Sequence, residues 1–518
     1  MIWQKFTKLT IRKNSNWPGL ILYMLLAFVP VLYLSATGGK DHLPVFCDFS
    51  ERRAGLLYHS VIIAFFTAVC CVSVGLFAAV KLHSKKRGNT LGRWFFLLTA
   101  PVPSYIYALT YMNLVRMMGR FIPSLLRYRM AGIWPCVIVE GFAFLPYACA
   151  AAMISLEQVD AGEWKAALLC RSADRVYWRI VFPKQLPYLM AIGAVIFVLS
   201  ITDYTIPSLF QVNVYAMEIF SDYSAVGRSA HSLELSVPLL FVSAAVILMG
   251  ILPLRNVAKP MKDDEEVIPQ YSRLMNVAGS GAVLVAVLQI ILPVFSLIPY
   301  VGSLSGSYVS AGEELWNSGI TGLGAVAFVM IPSAMMALQL AEQKTMKPVW
   351  LGIAIAPLSI PGVLTGIGVL KFFSDTPLHV LRSGNIMPSI GMAIRYLPFA
   401  MLIQYGCYLR MDRNRIDAAR LLQPGRGQAF WRVKVFMMMP GMAIAGLVVF
   451  LLTLGDVGTA LMLMPAGKEP LSVKIYNYLH YGASETVAVF CLMQMAVCLA
   501  AVGVLYFGTW IWQKIHKR

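Results

Sequence analysis

Residues 417–435 read DAARLLQPGRGQAFWRVKV, and residues 165–181 read KAALLCRSADRVYWRIV. Each is an Arg-bearing, half-apolar segment lodged between long apolar runs. In the later copy Ala418, Ala419, Leu421 and Leu422 give a short helix one apolar side, and Pro424-Gly425 ends it. Phe430, Trp431 and Val433 then follow among Arg426, Arg432 and Lys434. A helix–turn–helix too short to span a bilayer has two readings. It anchors at the headgroups through Trp and Arg, or it offers a knob to a partner. Two copies at matched places favour the knob.

The match extends well beyond these segments. Trp178-Arg179-Ile180 and Trp431-Arg432-Val433 lie 431 − 178 = 253 residues apart, and the same step carries Pro187 onto Pro440 and Asp203 onto Asp456. Leu145-Pro146-Tyr147 precedes Leu397-Pro398-Phe399 by 397 − 145 = 252 residues, and Pro103 pairs with Pro361 after a small insertion. Landmarks in one order at nearly one offset imply a duplicated unit.

Composition says where that unit resides. Of 518 residues, 58% are hydrophobic and 13% charged, about half the charge expected of a soluble domain. Apolar stretches of about 18 residues or more recur along the chain and read as membrane-spanning helices. We count about twelve, near 18–35, 56–80, 94–114, 135–155, 187–210 and 233–254, then 276–297, 319–341, 349–371, 386–407, 440–463 and 485–511. The expected fold is therefore an all-α polytopic membrane protein of two homologous six-helix halves. The first is 1–256, with its repeated segment at 157–186. A cytoplasmic linker covers 257–274, and the second half is 275–518, with its segment at 409–439. An even number of spans per half makes the repeat parallel.

The formal charge of +18 does not point to nucleic acid, because Lys and Arg concentrate in short loops on one side, as the positive-inside rule expects. That side holds both termini and both repeated segments. The start MIWQKFTKLTIRK leads into a full-length span and reads as a retained signal-anchor. No GxxxxGK[ST] phosphate loop, HExxH or Ser/His/Asp constellation occurs, and the Cys residues show no CxxC or zinc spacing. Neither a catalytic site nor a metal site is expected.

The repeated segment resembles the EAA loop of permease subunits of binding-protein-dependent ABC importers. That pattern runs Glu-Ala-Ala, three residues, Gly, nine residues, then an aliphatic residue and Leu-Pro. The later copy places Asp417, Ala418 and Ala419 at the opening, Gln423 at the Gly, Val433 at the aliphatic position and Phe436 at the final Pro. The earlier copy places Trp164, Lys165 and Ala166 at the opening, Cys170 at the Gly, Ile180 at the aliphatic position and Pro183 at the Pro. Both depart from the family at the Gly, and the earlier one carries its acid, Glu163, one residue early. The resemblance covers the whole chain, and its fused two-permease form is most similar to ferric-iron and thiamine importers.

The resemblance implies a type I importer permease in a bacterial cytoplasmic membrane. An external binding protein would deliver the solute, ferric iron first and thiamine second, with polyamines or a phosphonate as further options. Two copies of a separate cytoplasmic ATPase would dock on Ala166, Ala167, Cys170 and Arg171 and on Ala418, Ala419, Leu422, Gln423 and Gly425. ATP would be bound by that partner, leaving this chain without a cofactor.

Ionisable residues inside spans are rare and costly. Asp203 and Asp456 sit at matched places, and Glu140 and Arg395 lie in or near apolar runs. The two Asp residues line the path, or bond helices together, or relay protons. The last would make the chain a secondary transporter driven by an ion gradient. Pro103 and Pro361 are expected to bend spans three and nine and to shape the path or serve as packing bends.

Overall fold

The computed structural model describes residues 17–37, 50–83, 102–121, 131–156, 159, 161–227, 229–256, 271–299, 311–342, 347–409, 411, 418, 421, 430–481 and 484–516. The fold is all-α, and no strand occurs among the described residues. The first part of the chain gives α1 (Trp17–Thr37), α2 (Glu51–His83), α3 (Ser104–Phe121), α4 (Ile133–Leu156) and α5 (Ala161–Cys170). It continues with α6 (Phe182–Ile201), α7 (Thr205–Leu209), α8 (Tyr215–Val226) and α9 (Ser229–Ile251). The second part gives α10 (Arg273–Leu297), α11 (Gly312–Glu342), α12 (Lys347–Ile355), α13 (Gly362–Asp375) and α14 (Ile386–Leu409). It ends with α15 (Phe436–Gly455), α16 (Gly458–Leu463), α17 (Leu471–Tyr481) and α18 (Ser484–His516).

Ten described helices are long and apolar enough to cross a membrane, or 11 if one sharply bent pair is a single span. Three of the expected spans, the fifth, ninth and eleventh, are broken. Span nine is two helices, Val349–Ser359 and Gly362–Asp375, meeting at 87°. Pro361 stands at that break as the residue capping α13. Pro lacks an N–H and opposes a helical residue before it, so the kink expected there is a full corner. At span three, α3 begins directly after Pro103 and is not apolar enough to be counted, while 84–101 lie outside the described residues. Spans five and eleven also stop early. α6 ends at Ile201 and α15 at Gly455, each followed by a break and a short helix. A hydropathy window averages across a two- or three-residue break and does not register it.

Two three-helix units dominate the packing. α2, α4 and α6 pack on one another, as do α11, α14 and α15. The first helix of each part crosses to the other one: α1 packs on α11 and α13, and α10 packs on α2 and α3. Close approach at these crossings depends on glycine. A Cβ on Gly19 would sit 2.3 Å from Met335 Cβ, and one on Gly279 would sit 2.8 Å from Lys81 Cβ and 2.9 Å from the Phe77 carbonyl oxygen. Among apolar lipids, such backbone-to-backbone fit replaces the hydrophobic drive between helices.

Gly279→Leu is accordingly expected to push α10 off α2, at about 1–3 kcal/mol for an overpacked contact, and to lower the thermal unfolding midpoint of the purified chain by several degrees. Gly281→Leu, with nothing within 4 Å of its would-be Cβ, should leave the midpoint nearly unchanged. Equal behaviour of the two variants would contradict the packing.

Candidate functional site

The breaks after α6 and α15 have one local cause. Asp203 Oδ1 accepts the backbone N–H of Thr205 at 2.8 Å, and Asp456 Oδ1 accepts that of Thr459 at 3.0 Å. Asp side chains compete in this way for backbone donors and start a new helical turn out of line with the last. Inside a bilayer the freed backbone groups still need partners. At the second break Ser472 Oγ donates to the Asp456 carbonyl at 3.0 Å, and at the first the Thr202 hydroxyl adds a 2.7 Å bond to the Val198 carbonyl, which also accepts the Thr202 N–H.

These breaks bring Asp203 and Asp456 to a single cavity of about 110 Å³, whose wall also holds Pro103, Arg395 and Tyr204. Pro361 is not on that wall, although Val363, two residues on, is. The two carboxylates, matched in sequence, differ in their partners. Arg395 Nη1 lies 3.3 Å from Asp456 Oδ2 and donates to Thr459 Oγ1 at 2.9 Å, and the Tyr396 hydroxyl donates to Asp456 Oδ2 at 2.9 Å. The Asp456 side chain is only 2% exposed, so the ion pair satisfies a charge that would otherwise be severely penalised. Room for the guanidinium comes from Gly362, where a Cβ would fall 1.6 Å from Nη1. Asp203 has no Lys, Arg or His nitrogen within 4.0 Å among the described residues. Its surroundings instead hold the buried Glu140, which accepts from the Ser200 hydroxyl.

The repeat explains this asymmetry and also why sequence reasoning missed it. At the 252-residue offset, Arg395 falls on Ala143 and Tyr396 on Phe144 (395 − 252 and 396 − 252). A search for matched residues passes over a base present once. The signal that was available was Arg395 itself, a lone Arg in an apolar run.

The earlier of the two repeated segments is largely described. Ala166, Cys170 and Arg171 are exposed and Ala167 is half-buried, on or just after α5. Leu169 projects at 89% exposure, while Trp164 is buried against Tyr271, with ring centroids 5.8 Å apart. An ion pair between Lys184 and Glu163 ties α5 to α6. Of the later segment, Ala418 and Leu421 are exposed. Ala419, Leu422, Gln423 and Gly425 lie outside the described residues. Both segments lead into a π-helical turn, Tyr177–Val181 and Phe430–Val435, with starts 430 − 177 = 253 residues apart. Lys434 in the second turn is 2.7 Å from Glu342 at the end of α11.

No protein-family model matches the chain. Curated relatives do. A protein named as a spermidine/putrescine transport system permease, the PotC homolog of Mycoplasma pneumoniae, is 31% identical over 159 residues, 29% of this chain and 55% of its own length. The 2-aminoethylphosphonate transport system permease protein PhnV of Salmonella choleraesuis is 24% identical over 225 residues, 42% of this chain and 82% of its own length. The namesake from Salmonella typhimurium is 24% identical over 209 residues, 40% of this chain and 76% of its own length. The chain is similar to transport-system permeases. It spans about half the length of the Mycoplasma protein.

The ion pair gives a direct test. Arg395→Ala leaves Asp456 buried without its base, which is expected to cost about 3–5 kcal/mol and to lower the unfolding midpoint sharply. Adding Asp456→Asn should recover much of the loss. A double variant no more stable than Arg395→Ala would contradict the pairing.

Proposed function

We propose that the chain is the permease subunit of an ATP-binding-cassette importer, with both membrane halves fused in one polypeptide. The observation that carries this reading is the exposed helix α5, with Leu169 outward and Trp164 clamped inward, leading into a π-helical turn that recurs 253 residues later. An exposed apolar projection whose sequence recurs at 409–439 suits docking by two copies of one ATPase. Relative lengths support the fusion. The 225 residues matched in the Salmonella choleraesuis protein are 82% of its length, giving 225/0.82, or roughly 274 residues, close to half of 518.

The halves 1–256 and 275–518, joined by the linker 257–274, then form the path between them, at the cavity that holds Asp203 and Asp456. The ATPase binds and hydrolyses ATP, an external solute-binding protein supplies the solute, and this chain couples the two by mechanical displacement of its loops. It resides in the bacterial cytoplasmic membrane with both termini and both loops on the ATPase side.

The solute in this reading is small and organic. Ferric iron and thiamine, expected from the fused form, find no support among relatives named for spermidine/putrescine and 2-aminoethylphosphonate. The described residues also contain no group of three His, Cys, Asp or Glu placed to hold a metal ion.

Co-expression with the ATPase encoded beside this gene tests the reading. The complex should hydrolyse ATP faster in the presence of loaded binding protein. Leu169→Asp or Ala166→Arg should reduce that stimulation by about tenfold or more while the chain still inserts and purifies as a single species. Full stimulation in both variants, or uptake into vesicles that follows a proton gradient without ATP, would contradict it.

A further inference from the structure

Next to Asp203 in the cavity wall stands Tyr204, 2% exposed. Its hydroxyl has no hydrogen-bond partner among the described residues. Buried Tyr hydroxyls ordinarily find one. The ring is held in place, stacked on Phe220 with centroids 5.3 Å apart, and its edge meets the backbone near Gly458. This hydroxyl and the Asp203 carboxylate are consecutive in sequence and line one cavity; the carboxylate accepts the Thr205 N–H but has no Lys, Arg or His nitrogen within 4.0 Å among the described residues. Arg395, the cation that shares the wall, is already engaged by Asp456 and Thr459.

We infer that Asp203 and Tyr204 form a subsite for the primary ammonium group of an aliphatic amine. The inference rests on the permease reading and names the solute chemistry of its path. An ammonium group carries a positive charge and three N–H donors. One donor meets the Asp203 carboxylate, which has no base of its own, and there a charged hydrogen bond is stronger than a neutral one. A second meets the Tyr204 oxygen, which accepts. Phe144 and Tyr147 also line the cavity, and aromatic walls favour cations over anions.

Size limits the choice further. A cavity of about 150 Å³ takes a benzene ring, so about 110 Å³ takes an aminoethyl or aminopropyl end and leaves the rest of a longer solute outside it. A quaternary nitrogen offers no N–H donor and leaves the Tyr204 hydroxyl unmet. An amine-free anion meets Asp203 as a like charge.

The test uses the full chain purified in lipid nanodiscs, without ATPase or binding protein, and titrates defined probes by calorimetry and thermal shift. Putrescine and 2-aminoethylphosphonate should bind and raise the unfolding midpoint. Ethylphosphonate, thiamine and ferric citrate should not. Asp203→Asn should weaken putrescine binding about tenfold or more, and Tyr204→Phe by about three- to tenfold, as expected for one lost hydrogen bond to a charged group. Asp203→Glu should restore part of the loss. If Asp203→Asn does not fold, Tyr204→Phe decides the matter. Absence of amine-dependent binding, equal binding of ethylphosphonate and 2-aminoethylphosphonate, or wild-type affinity in a folded Tyr204→Phe variant would overturn the subsite. Since no ATPase is present, a negative result here leaves the permease reading to its own test, and failure of ATP coupling leaves this subsite standing.

Discussion

The structure depends on how a backbone can be broken inside a bilayer. Every N–H and C=O in hydrocarbon needs a partner within the protein, so a span stops only where side chains replace the lost helical bonds. Asp203 and Asp456 do this by accepting backbone N–H groups of the short helices that follow them, and Ser472 bonds the Asp456 carbonyl. A charged cap in this position must itself be satisfied. In the second half Arg395 and Tyr396 do so for Asp456, and among the described residues no base lies within 4.0 Å of Asp203. The asymmetry of the cavity follows from that difference.

The same constraint shapes the surrounding packing. Two breaks that face one another open a hollow only if the helices around them stay rigid. The units α2–α4–α6 and α11–α14–α15 supply that rigidity, and the exchange of α1 and α10 between them locks one to the other. The repeated segments attach to these units by local bonds, Lys184 with Glu163 and Lys434 with Glu342, while Trp164 packs on Tyr271 just before α10. The Lys184–Glu163 pair thereby joins α5 to α6, which ends at Ile201, two residues before Asp203. The mechanical coupling proposed above requires such continuity.

Much of this was legible in the sequence, for physical reasons. Apolar length gave the spans, because hydrocarbon thickness sets it. The 253-residue step gave Asp203 and Asp456 as a pair, and both line the cavity. Pro361 marked a real break. The exchange of first helices was not legible, because α1 and α10 are apolar on all sides and carry no stripe to show which neighbour they face. The partners of Asp456 were hidden for another reason. Arg395 and Tyr396 have Ala143 and Phe144 as counterparts, so the duplication that exposed the Asp pair concealed what distinguishes its members.

The most direct measurement of the central claim, that ATP acts on this chain by displacing two matched loops, is a distance. Spin labels at positions 166 and 418, both exposed, on a background lacking the native cysteines would report the separation of the loops in the ATPase-bound complex. The account predicts that ATP binding draws the two labels together and that hydrolysis releases them, with no response to a proton gradient. A separation indifferent to ATP but altered by a proton gradient would contradict it.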